Sequence, residues 1–274
     1  MKRLLTLLAF LGISLSLLGA AGCGNEKEKL YRIAVVSDLS YDGSGEAEKG
    51  REALSSMGSD MTVFLGTLTE ISPAETKKFT DAFPGDKVYI AGRKDLEGGN
   101  REDFIKVFGN RPIRKEEGSY LLLFLPSDGG SESAPCGISK ESMDWLKGKL
   151  KENPDKKTLI FFEAPLFDTI IPRNAEEGDP SHYAQPGGAL DLLILTNPQI
   201  RLWVSGHTAL TPKDGEFVSG HNMYYGKVLD LYNSSWAGKE KWTNRISLYK
   251  DRIIIETYDH QKGEWLKDLT RQIS

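Results

Sequence analysis

Cysteine is nearly absent. Cys23 and Cys136 are the only two in 274 residues, so a disulfide framework is excluded and an intrachain bridge would need Cys23 itself. Basic charge is also short: 35 Lys and Arg face 39 Asp and Glu, a net charge of −4. Without a basic stripe to offset phosphate charge, nucleic acid is not an expected partner. Only one long apolar run occurs, at the N-terminus, and no later stretch reaches the ~20 residues that span a bilayer. Neither Gly-x-x-x-x-Gly-Lys-Ser/Thr nor Gly-x-Ser-x-Gly is present, which removes the usual phosphate-cradling loop and the usual serine elbow. The serines of "SDGGSES" lack the strand-to-helix setting a nucleophile needs, and Cys136 in "SAPCGIS" has no obvious base beside it. No internal repeat and no Pro- or Ser-rich linker divides the chain, whose length suits one large domain.

The N-terminus reads as an address. Lys2 and Arg3 precede the apolar stretch Leu4 to Leu18, then Gly19-Ala20-Ala21-Gly22 and Cys23. A charged start, a short apolar core and a small-residue exit describe an export signal. Cys23 after small residues resembles a bacterial lipoprotein cleavage site, with Ala20 where such sites prefer leucine. The resemblance implies a signal peptide over 1–22, a lipid on Cys23, a polar tether over 23–30 and a folded domain over 31–274. An ordinary secretory signal is the alternative. Removal of Lys2 and Arg3 leaves 33 basic and 39 acidic residues, a net charge of −6.

Downstream, strand-like runs alternate with helical patterns. Arg32 to Ser37, Met61 to Leu65, Lys87 to Ala91, Ser119 to Leu125, Thr158 to Phe162 and Arg201 to Ser205 read as strands. Between them Gly45 to Met57, a helix opening at Ser72-Pro73, Asn100 to Phe108, Ser139 to Lys151 and Gly188 to Thr196 read as helices. The end is β-rich: Lys227 to Tyr232, Arg245 to Lys250 and Arg252 to Tyr258. This order predicts an α/β core of packed layers, whose ligands bind at the carboxyl ends of the strands. Five short stretches fall at those ends: "SDLS", "LGTL", "AGRKD", "FFEAP" and "SGHTA".

In that order the five resemble the motifs of calcineurin-like metallophosphoesterases: Asp-x-His, Gly-Asp, Gly-Asn-His-Asp/Glu, a lone His and Gly-His-x-His. The match extends over roughly Arg32 to Thr211, and the closing "NRISLYKDRIIIETYDHQKGEW" resembles that family's last hairpin. The resemblance implies a four-layer α/β/β/α sandwich. It also implies a site in which two metal ions ~3.5–4 Å apart bind phosphate and activate water. Asp38 and His207 match metal ligands. The rest depart: Ser40 stands for a ligand histidine, Thr67 for the bridging aspartate, and Arg93 for the ligand asparagine. Lys94 stands for the histidine that assists the leaving group, Glu163 for the lone His, and Ala209 for the last His. Asp95 survives, although the catalytic histidine it would orient does not.

Without the bridge at Thr67, nothing else holds two ions together. Like charges ~4 Å apart repel by about 4 kcal/mol at an effective dielectric near 20, so Arg93 and Lys94 oppose metal entry. The resemblance therefore implies a degenerate phosphoesterase that binds rather than hydrolyses, with no cofactor expected. Three arrangements fit the residues. In the first, Asp38 and Glu163 neutralise Arg93 and Lys94 as a buried ion cluster, the arrangement the balance of charges favours. In the second, Arg93 and Lys94 with Ser40, Thr67 and His207 form a pocket for a small anionic or phosphate ligand. In the third, an active phosphoesterase keeps a single divalent metal on Asp38, Glu163 and His207. His182 and His221 lie on loops near the expected mouth. Aromatic residues in "NMYYGK", "NSSWAGKEKW" and "HQKGEW" fit a rim for an envelope protein partner, whereas Trp203 and Tyr249 read as packed strand residues.

Overall fold

A computed structural model describes residues 29–97, 100–128, 136–169 and 182–274. The signal segment, Cys23 and the tether up to residue 28 lie outside the described residues, as does most of "SDGGSES". Two sheets pack face to face. The first begins with β1 (Lys29–Ser37), β2 (Met61–Gly66) and β3 (Asp86–Ala91), which run parallel. The second contains β4 (Ile113–Glu117), β5 (Tyr120–Phe124), β6 (Lys157–Phe161), β7 (Ile200–Ser205), β8 (Met223–Tyr224) and β9 (Val228–Tyr232). Its spatial order is β4-β5-β6-β7-β9-β8. Then β10 (Trp242–Tyr249) and β11 (Ile253–Asp259) return to the first sheet beside β1, edged by β12 (Glu264–Trp265) and β13 (Arg271–Ile273).

Apolar residues face both ways in these strands because both sides of each sheet are covered. Ile33 and Val35 point into the core between the sheets with Leu122, Phe124, Phe161 and Val204. Their neighbours Ala34 and Val36 face α1 (Glu46–Ser56), α2 (Pro73–Thr80) and α4 (Asn100–Phe108), against Leu54, Phe79 and Phe104. On the far side Leu121, Leu123 and Ile160 pack on α5 (Lys140–Glu152) and α6 (Gly187–Thr196), through Met143, Leu146, Leu190 and Ile194. The result is the α/β/β/α sandwich. The short α3 (Arg93–Leu96) follows β3 directly.

The serine cap expected before α2 is present, its hydroxyl accepting from the Glu75 N–H at 3.3 Å. Strand β4 carries no apolar run and was not expected; "IRKEE" pairs with β5 as a charged edge strand, the kind that discourages further pairing. Trp236 and Trp242 correct the expected rim. Both are buried, and the Trp236 indole N–H donates to the Trp242 carbonyl at 2.9 Å. Trp203 and Tyr249 are buried strand residues, as read. Among the described residues no helix is long and apolar enough to cross a membrane.

Candidate functional site

The carboxyl ends of both sheets converge on one cleft of about 290 Å³, lined by Asp38, Ser40 and Thr67, by Arg93 and Lys94, and by His182, His207 and Ala209. It contains six of the seven candidate binding residues. The exception is Glu163.

Backbone geometry builds the floor. Asp38, Ser40, His207 and Ala209 all have positive φ, between 43° and 58°, a region that side-chain-bearing residues rarely occupy and that tends to mark functional loops. Asp-x-Ser and His-x-Ala thus make matching turns at the ends of β1 and β7. Close backbone approach is enforced by glycine: a Cβ on Gly92 would lie 2.4 Å from the Thr67 nitrogen. Asp38 is already engaged by its own walls. Its Oδ1 accepts from the Thr67 N–H at 3.1 Å and its Oδ2 from the Ser37 hydroxyl at 3.1 Å.

Asp95 is buried and clasps two loops. Its carboxylate accepts from the Leu68 N–H at 3.0 Å, the Thr69 N–H at 3.3 Å and the Gly92 N–H at 3.0 Å. Burial pushes it up to about 7 against those donors. Its work here is to fix α3, and with it the backbone of Arg93 and Lys94.

The four charges do not form the expected cluster. Arg93 is 47% exposed and its Nε pairs with Glu97 at 3.3 Å; Lys94 is 63% exposed and lies 3.8 Å from Glu70. Neither cation pairs with Asp38 or Glu163 among the described residues. The physical reason is that α3 carries both side chains outward over the cleft mouth, where water solvates them. Glu163 turns the other way. It is 1% exposed, accepts from the Ser127 hydroxyl and from the Arg93 backbone N–H, and burial pushes it up to about 8, aided by Asp38 and Asp95. A buried carboxyl behind the wall stands where the third donor of a metal site would be.

Ser127, the first serine of "SDGGSES", is no nucleophile candidate in the sequence, and its hydrogen bond to Glu163 is not legible there. It sits beyond β5, and only the fold brings it under Glu163. His182 does join the cleft, its ring stacked on His207 with centroids 5.7 Å apart. Burial lowers the His207 pKa, Asp38 opposes that shift, and His182 and Arg93 add to it. His221 lies on an exposed turn outside the cleft. His260 is packed against Trp236 and Tyr258 and bonded to Thr243 at 2.9 Å. Cys136 is buried, which pushes its thiol pKa up.

A dimetal phosphatase from Danio rerio superposes with a TM-score of 0.59 at 12% identity, over 85% of this chain and 97% of that one. This chain has the metallophosphoesterase fold. Two further solved structures align at lower scores that bear no argument. A predicted phosphoesterase from Streptococcus pneumoniae gives a TM-score of 0.42 at 13% identity over 89% and 97% of the two chains. Vps29 from Chaetomium thermophilum gives 0.41 at 12% over 89% and 93%. No protein-family model matches the chain, and no curated protein matches it significantly. At such identities the likeness is one of fold, so the metallophosphoesterase metals must be tested against the residues themselves. Among the described residues no three His, Cys, Asp or Glu are placed to hold an ion. Asp38 and His207 share the cleft, but Glu163 does not line it and its pKa is pushed up by burial. The donor set does not fit the metals of the fold.

Proposed function

We propose that this chain is an exported, lipid-anchored protein whose metallophosphoesterase-like domain binds a small anion and does not hydrolyse phosphate esters. One observation carries the reading: at the strand ends where two-metal chemistry needs carboxylates and imidazoles, the cleft presents Arg93 and Lys94. Arg93 keeps its terminal N–H groups available for a planar, two-point contact, and Lys94 supplies a point charge. The hydroxyls of Ser40 and Thr67 and the imidazole of His207 supply shorter-range hydrogen bonds. The carboxylate that lines the cleft, Asp38, is held to the wall by Thr67 and Ser37. The single-metal phosphoesterase loses support because Glu163 is withdrawn.

Millimolar inorganic phosphate should raise the melting temperature of the purified mature chain through preferential binding to the folded state. The double variant Arg93→Ala with Lys94→Ala should abolish that rise. It should change the ligand-free stability by less than about 1 kcal/mol, because both ion pairs are solvent-exposed. Aryl phosphate hydrolysis should not exceed that of Asp38→Ala. Phosphate without effect would remove the anion reading. Turnover that vanishes in Asp38→Ala would restore an enzyme.

The anchor has its own check. Cys23→Ser should shift the protein from the membrane to the soluble fraction, because the proposed lipid attaches there and no helix among the described residues is long and apolar enough to cross a membrane. Unchanged membrane association in that variant would remove the anchor.

A further inference from the structure

We infer that the pole opposite the cleft, where the strands of both sheets begin, is the face this protein lays against a lipid bilayer. The inference rests on the lipid-anchor reading above.

The topology defines that pole. The Tyr120 hydroxyl at the start of β5 donates to the Tyr249 carbonyl at 2.7 Å, and Lys157 at the start of β6 donates to the Asp251 carbonyl at 2.9 Å. The turn between β10 and β11 thus meets the beginnings of β5 and β6, and Lys29 pairs with Tyr249 beside it. Every strand that ends at the cleft starts here.

Length then decides which pole can touch the membrane. Five residues lie between Cys23 and Lys29, so the two are joined by a reach of about 20 Å at full extension. The nine residues of β1 alone span about 30 Å. A tether fixed at Cys23 therefore cannot carry the membrane around to the cleft.

The surface agrees. Leu30, next to the tether, is exposed. Helix α6 runs toward the same pole because three residues later it feeds β7. It carries apolar residues outside as well as inside: Leu192 is 64% exposed, and Leu195, in its last turn, is exposed too. Tyr224, hydrogen-bonded to Asp191, joins α6 to the turn before β9, where Tyr225 is 52% exposed and Lys227 is exposed beside it. Tyrosine with flanking lysine suits the headgroup layer, where an apolar body and a polar tip are both satisfied. Exposed apolar residues alone do not single out this pole, since Ile71 and Phe167 lie toward the cleft; the tether does.

The test uses the full lipidated chain in phospholipid vesicles, with one fluorophore on Tyr225→Cys, Lys250→Cys or Lys239→Cys. Cys136 is buried and Cys23 is blocked by lipid, so the introduced thiol alone reacts. Lys239 is exposed two residues from Ala237, which lines the cleft. Spin-labelled lipids with headgroup-depth nitroxides should quench the labels at 225 and 250 several-fold more than the label at 239. Stronger quenching at 239, or none at any position, would overturn the orientation; the latter would leave a second copy or another protein to cover the face. The intact mass of the same sample separates the two readings. A chain without lipid on Cys23 refutes the anchor, whereas a lipidated chain with the wrong quenching pattern refutes only the orientation.

Discussion

Glu163→Gln should flatten the fall in stability that the wild-type protein shows between pH 5 and 8. The sign follows from the proton count. Glu163 ionises near its ordinary value of 4.5 when unfolded and is pushed up to about 8 when folded. Between those values the folded state holds a proton that the unfolded state has released, so stability declines as pH rises. The rise from 4.5 to about 8 amounts to about 5 kcal/mol for this fully buried group, an upper figure because the cavity can relax around a charge. Asp95 and Asp230, each pushed up to about 7 by burial, act in the same direction. His260, pushed down to about 4, acts in the opposite one between 4 and 6.5. The difference between wild type and Glu163→Gln isolates Glu163, read from urea midpoints across pH 5–9. A bound metal would hold Glu163 ionised in both states above its unfolded value of 4.5, so the difference would then be flat across that range.

Gly92→Ala should cost about 3 kcal/mol or more, as overpacking against backbone that cannot move aside. The new methyl would sit 2.4 Å from the Thr67 nitrogen and 2.6 Å from the Gly66 carbonyl carbon, pressing apart the loops that close the cleft floor. Gly148→Ala is the contrasting control. Gly148 lies inside α5 with no atom near its added Cβ, so alanine should stabilise by up to about 1 kcal/mol through helix propensity. Urea unfolding of both variants, at unchanged slope, should give shifts of opposite sign. A neutral Gly92→Ala would mean that the floor is loosely packed.

The fold was legible because its signals are repetitive. Buried runs such as "AVVS" and "LIFF" end in loop residues at regular intervals, and helical patterns fill the gaps. Strands β4 and β13 were not legible, since charged or three-residue edges carry no such run. For the site, the sequence showed which residues occupy the strand ends but not which way they face. Lys94 and Glu163 illustrate the gap. A charge balance of two acids and two bases suggests pairing, yet α3 lifts the bases into water while Ser127 and a backbone N–H draw Glu163 inward. Both outcomes depend on loops contributed by distant segments, which no local pattern encodes. The buried Trp236 and Trp242 make the same point, because a polar loop around a tryptophan does not reveal whether the ring turns inward.

The clasp formed by Asp95 sets the character of any binding at this cleft. It immobilises the backbone beneath Arg93 and Lys94 while leaving both side chains free to sample rotamers in solvent. On the anion-binding proposal, an arriving anion meets a backbone mount that is already set by these hydrogen bonds. It must still order two long side chains, at about 0.5–1.5 kcal/mol each, and compete with salt at the cleft mouth. On the same proposal, occupancy under those terms is weak and quickly reversed, so it follows the ligand concentration outside.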